Sequence, residues 1–211
     1  KDICPNNLTG LNDITLGFDP DSKTSYSNLG YCLLGEVISR LNDDQPYTDI
    51  IASQYGFADT HLKFVSNSAM PDEVTYNYVE TGLTGHADIY TAFDYDGLAS
   101  AAGLSGNAID LAKQVRVMAA KPEPNILTDA DKVGCDPTQI KECYGYAMVT
   151  YQPDPKSIKV HYRDGNLLGL SSLVAVSDNG SVVALLSNGT SNEGVEGSKK
   201  VKMMIYKQMN H

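Results

Sequence analysis

From residue 144 onward the chain changes to strand-like patterning, and this constrains its fold more than any other feature. Segments 144–151, 158–163, 168–176 and 181–187 are rich in Val, Leu, Ala, Tyr and Ser and are bounded by turn residues. Asp178-Asn179-Gly180 separates the last two. Asn-Gly accepts the positive φ values of a tight primed turn, so it predicts a hairpin there. Beyond it, Val201, Ile205 and Met209, with Met204 beside them, recur at helical spacing over 195–211, which predicts a helix packed on the sheet.

The first part of the chain reads differently. Residues 1–24 are rich in Asn, Asp, Gly and Pro and are expected to be irregular. Leu29, Leu33, Leu34, Val37, Ile38 and Leu41 then fall on one helical stripe, with Asn28 placed to cap it and Asn42-Asp43-Asp44 ending it. A second short helix is expected over 46–55, and long connections over 61–98. Ser105 or Asn107 is placed to cap a helix running to about Ala120. Gly103-Leu104-Ser105-Gly106 approaches a nucleophile elbow, but the last position of that pattern holds Asn107 and no strand precedes it. The fold class that follows is α+β, an antiparallel sheet flanked by helices plus a mostly helical lobe. Residues 1–143 form the helical lobe and 144–211 the sheet with its C-terminal helix, both lobes of one domain.

Length and charge narrow the partners. The 211 residues suffice for a substantial core, and no apolar run approaches the roughly 20 residues of a spanning helix. A formal net charge of -10 opposes binding to nucleic acid or anionic membranes, since either needs a basic face to displace counterions. Cys135 and Cys143 bracket a short polar loop that reads as stapled, and Cys4 and Cys32 are candidates for a second bridge. Four cysteines allow three pairings, and sequence does not choose among them. A zinc site is the rival reading, weakened by the lack of Cys-x-x-Cys and by the wide separation of His61, His86, His161 and His211. Disulfides imply an oxidising, extracytoplasmic compartment, periplasmic or secreted. A start at Lys-Asp-Ile-Cys looks like a processed or excised product.

Four landmarks carry a resemblance. Tyr26-Ser27-Asn28 opens the Leu-Leu-Gly helix, and Gly56-Phe57-Ala58-Asp59-Thr60 follows. Gly103-Leu104-Ser105 with Asp110-Leu111-Ala112 comes next, and Gly165 with Gly169-Leu170-Ser171-Ser172 precedes the hairpin. In this order they resemble the penicillin-recognising serine hydrolases, in the branch of class C β-lactamases, D-stereospecific peptidases and esterases. The resemblance implies a β-lactamase/transpeptidase-like fold and acyl transfer to water from an amide, peptide, β-lactam or ester, without metal or organic cofactor. It assigns Tyr26 as proton shuttle and Asn28 as the amide that orients substrate. Arg163-Asp164-Gly165 fits the strand-borne third motif that lines the cleft opposite the tyrosine. Arg163 takes the cationic or imidazole position, with His161 the competing candidate if a two-residue bulge intervenes. Gly165 then admits substrate to the strand backbone, and the Asn166 amide is one oxyanion donor.

Each assignment has a plainer reading. Tyr26 closes a loop, Asn28 only caps a helix, Arg163-Asp164 ends an edge strand at the surface, and Tyr76, Tyr78, Tyr90 and Tyr95 are packing residues. The family's Ser-x-x-Lys, carrying nucleophile and base, occurs nowhere in these residues; Thr60-His61-Leu62-Lys63 and Thr138-Gln139-Ile140-Lys141 only mimic its spacing. The expectation is a C-terminal portion of a serine hydrolase whose nucleophile segment lies elsewhere, as upstream sequence or an associated chain, leaving apolar surface exposed here. The alternative is a noncatalytic extracytoplasmic module that keeps the cleft to bind peptide or cell wall.

Overall fold

Ser27, rather than Asn28, caps the first helix. Its extended backbone (φ -148°, ψ 111°) aims the hydroxyl at the Gly30 amide, from which it accepts at 3.0 Å. Helix α1 therefore runs Asn28–Arg40, and its leucine stripe is not its buried side. Gly35 is the residue it buries, while Leu33, Leu34, Val37 and Leu41 remain exposed. A Cβ at Gly35 would collide with the Ser100 side chain, so the missing side chain sets how closely α1 approaches that loop.

The computed structural model describes residues 4, 11–12, 14–23, 25–66, 68–74, 89–122, 125–128, 143–167, 169–189 and 191–211. The chain divides into two compact units, Lys1–Asn107 and Ala108–His211. In the first, α1 is followed by α2 (Tyr47–Gln54), as the sequence predicts, and by a 3-10 turn (Phe57–Asp59). Gly56 enters that turn with φ 64°, and Thr60 closes it, its hydroxyl donating to the Phe57 carbonyl at 2.9 Å and accepting from the Leu62 amide at 3.0 Å. Strand β1 (Lys63–Phe64), helix α3 (Tyr95–Leu98) and strand β2 (Leu104–Ser105) complete the described elements of this unit, and β1 pairs antiparallel with β2. Phe64 meets Tyr47 edge-on at 5.9 Å and Phe57 at 6.0 Å, which ties the short sheet to α2.

In the second unit, α4 (Ala108–Ala119) precedes β3 (Val149–Tyr151), β4 (Val160–Leu167), β5 (Leu170–Ser177), β6 (Val182–Ser187) and α5 (Gly194–Met209). The four strands form one antiparallel sheet in the order β3-β4-β5-β6. Two cores sandwich it. On one face Tyr162, Leu173 and Ala175 pack with Ile205, Tyr206 and Met209 of α5; on the other Met148 and Val176 pack with Val115 of α4. The predicted hairpin forms, but with another turn. Only Gly180 has positive φ (83°), its amide donates to the Ser177 carbonyl at 2.9 Å, and the Ser177 amide donates to the Ser181 carbonyl at 3.0 Å. This is a three-residue loop with its glycine in the left-handed position rather than a two-residue primed turn. Asn179 keeps ordinary φ because its carboxamide oxygen accepts from the Ser181 amide at 3.0 Å.

Candidate functional site

The first group of candidate residues lies at the start of α1. The Tyr26 side chain is 62% exposed, and its hydroxyl donates to Asn28 Oδ1 at 2.8 Å. The geometry follows from local sequence. Ser27, extended, turns the chain into the helix, and the side chains on either side of it, Tyr26 and Asn28, converge on one spot. The contact leaves the Asn28 amide nitrogen outside that bond, which suits a group that donates to a substrate carbonyl. Beneath it, Cys32 is disulfide-bonded to Cys4, with 5.8 Å between Cα atoms, and the bridge fastens the opening segment to α1.

The second group lies on β4, which continues through Arg163-Asp164-Gly165 to Leu167 instead of stopping at Arg163. It pairs with β5 along its whole length but with β3 only from Val160 to Tyr162, so among the described strands residues 163–167 have a partner on one side alone. Side chains alternate across a strand, and Val160 and Tyr162 face α5. Asp164 does the same, whereas His161, Arg163 and Gly165 belong to the opposite face. His161 is 4% exposed and its Nδ1 lies 3.2 Å from the hydroxyl of Thr150, its cross-strand partner, which is itself buried. It is a core histidine. The register from His161 to Asn166 runs without interruption against Val176 to Ser171, and no bulge brings His161 to the glycine. Arg163 is half-buried, with its guanidinium 5.6 Å from the centroid of the Tyr144 ring.

Gly165 pairs with Ser172, whose Oγ would lie 2.8 Å from a Cβ at position 165. The glycine thus makes room for a hydroxyl beside the strand backbone. Ser172 was not singled out by the sequence, and the signal was its register opposite Gly165. Asn166 follows with an exposed side chain. Behind the strand, Lys202 of α5 donates to Asp164 Oδ2 at 2.7 Å and lies 4.8 Å from the Tyr162 ring centroid. Burial, then the Asp164 carboxylate, then the Tyr144 phenol, hold the Tyr162 hydroxyl well above the ordinary tyrosine range.

Tyr26 and Asn28 are thus brought together in one unit, and Arg163, Gly165 and Asn166 in the other. Tyr95 is a packing residue whose hydroxyl donates to the Ile89 carbonyl at 2.6 Å, and Tyr90 donates to Glu73. His61 is exposed. Tyr76, Tyr78, His86, Cys135 and the Thr138–Lys141 tetrad lie outside the described residues; Cys143 is disulfide-bonded. Among the described residues no group of three or more His, Cys, Asp or Glu is placed to hold a metal, and no helix is long and apolar enough to cross a membrane. A groove of about 570 Å³ lies between α4 and the β5–β6 hairpin, lined by Lys113, Arg116, Gly180 and Val182 among others. None of the candidate residues lines it, so its size is no guide to the chemistry here.

Comparison with known proteins agrees with this arrangement of elements. A putative fimbrial assembly protein FimD (serogroup D) of Dichelobacter nodosus is 31% identical over 190 residues, covering 88% of this chain and 47% of that protein. The chain therefore spans about half the length of the curated relatives it matches. Among solved structures, the D-amino acid amidase of Ochrobactrum anthropi SV3 in complex with D-phenylalanine superposes with a TM-score of 0.61 at 17% identity, covering 81% of this chain and 53% of the amidase. A penicillin binding protein from Bacillus halodurans gives a TM-score of 0.60 at 19% identity, covering 82% and 54%. The fold is α+β and β-lactamase/transpeptidase-like. Since residues 8–204, and with them both candidate groups, match the Beta-lactamase family, the chain belongs to that family.

Proposed function

We propose that this chain is the tyrosine- and strand-bearing portion of a serine hydrolase, working by acyl transfer to water. One observation carries the reading: an exposed phenol whose hydroxyl is held on Asn28 Oδ1 at 2.8 Å, at the mouth of a capped helix, in the position of the family's Tyr-x-Asn. Tyr26 moves the proton between nucleophile and leaving group, and Asn28 donates to the substrate amide. Arg163 meets a substrate carboxylate with a permanent charge, and the Asn166 amide donates to the oxyanion. The substrate class is a small amide, peptide, β-lactam or ester. Ser-x-x-Lys is supplied from outside these 211 residues, and the protein works in an extracytoplasmic, oxidising compartment, in keeping with the Cys4–Cys32 bridge.

A fluorophosphonate or fluorescent penicillin probe tests this. It labels the full-length gene product and leaves the 211-residue chain unlabelled. Labelling of the chain alone would overturn the external nucleophile, and no labelling of either would overturn the hydrolase. In the full-length product, Tyr26→Phe lowers turnover roughly 10²–10⁴-fold with little change in melting temperature; wild-type turnover removes Tyr26 from the mechanism.

The second reading is a noncatalytic binding module on the same fold. It is favoured by the lack of Ser-x-x-Lys in these residues and by the likeness to a protein described as a fimbrial assembly protein. Probe-negative full-length protein that binds peptidoglycan peptides would select it.

A further inference from the structure

Lysine is almost never fully buried unless it is paired. Lys202 is only 7% exposed, on the face of α5 that also carries Ile205, Tyr206 and Met209. Its ammonium is spent on two partners, Asp164 at 2.7 Å and the face of Tyr162 at 4.8 Å. Such a pair is a poor device for stability, because desolvating the ammonium offsets much of its attraction to a carboxylate that is itself part-exposed. What it does supply is registration. Asp164 is flanked by Arg163 and Gly165, and strand alternation sends these neighbours to the face opposite α5. A slip of one residue would turn Arg163 and Gly165 inward toward the helix. The Lys202 contact, made across 38 residues of sequence, opposes that slip and fixes the two peptide planes that meet at Asp164.

We propose that Lys202 is a positioning residue that, through Asp164, holds Arg163 and the Gly165–Asn166 backbone in the orientation needed to receive substrate. The inference rests on the acyl-transfer reading of β4 and adds to it a residue on another element, remote in sequence.

The test uses the full-length gene product and a p-nitrophenyl acyl ester. Lys202→Met replaces the ammonium with an apolar side chain of similar length. It lowers kcat on the order of 10–100-fold, as expected for a misplaced wall. KM stays within about twofold, which marks loss of alignment rather than of binding. The urea midpoint falls, because the Asp164 carboxylate loses its ammonium, but the variant stays folded at the assay temperature; Lys202→Arg restores most of kcat, and Lys207→Met, on the exposed side of α5, changes nothing. If the methionine variant does not fold, Lys202→Met combined with Asp164→Asn, which leaves no unpaired charge behind, carries the same comparison.

Wild-type kcat in the variant overturns the inference. A fall in kcat that vanishes once corrected for the folded fraction overturns it as well, since a merely structural lysine behaves that way. If Arg163→Ala is damaging while Lys202→Met is silent, this inference alone fails. If the wild-type product turns over no acyl ester, the reading of β4 fails and the inference with it.

Discussion

Tyr162 shows how a single side chain makes the fold sensitive to base. An unfolded tyrosine ionises near pH 10, whereas in the fold Tyr162, buried beside the Asp164 carboxylate, keeps its proton to higher pH. The unfolded chain therefore loses that proton first, and stability falls as pH rises above about 10. Tyr47 and Tyr151, both raised chiefly by burial, act in the same sense. Urea midpoints measured from pH 8 upward should decline beyond pH 10, and Tyr162→Phe should make the decline shallower; an unchanged slope would contradict the assignment. Ser27 gives a second prediction at this scale. Removing its hydroxyl in Ser27→Ala leaves the Gly30 amide without its cap and should cost about 1 kcal/mol of stability, read from denaturant unfolding. Asn28→Ala should spare that stability, because Asn28 is the first residue of the helix and not its cap.

Among elements, the β5–β6 hairpin and α1 show where pattern sufficed and where it did not. Strand-like composition bounded by turn residues and the Asn-Gly pair were enough to place two antiparallel strands, since both are local properties. The turn type was not legible, because it depended on the Asn179 carboxamide bonding Ser181 and on the single left-handed glycine. Gly180→Ala should accordingly cost about 1–2 kcal/mol while Asn179→Ala costs less, a ranking that thermal melts of the two variants can check. For α1 the helical stripe located the element correctly but not its buried face. A periodicity of leucines marks an apolar side, whereas burial is decided by what packs against it, and that place was taken by Gly35 against Ser100. Strand β4 repeats the lesson. Its pairing with β5, which runs from Val160 to Leu167, carried it beyond Arg163, where the Asp-Gly sequence alone suggested an end.

At the scale of the whole molecule, the Cys4–Cys32 bridge closes a span of 28 residues within the first unit. A link of that length contributes about 2–4 kcal/mol, mainly by restricting the unfolded chain. The paired Cys4→Ser and Cys32→Ser substitutions should lower the melting temperature of the unit that contains α1; an unmoved transition would show that the bridge adds little. By itself the sequence determined the class of fold, the succession of its main elements, the family and the Tyr26–Asn28 pair, all of which rest on spacing within a few turns of chain or on motifs in fixed order. Tertiary structure alone decided that α4 and α5 cover opposite faces of one sheet, that His161 belongs to the core rather than beside Gly165, and that Lys202 reaches Asp164. The physical reason is range: periodicity and capping are set by neighbours along the backbone, while burial and ion pairing are set by residues that only folding brings within a few ångströms.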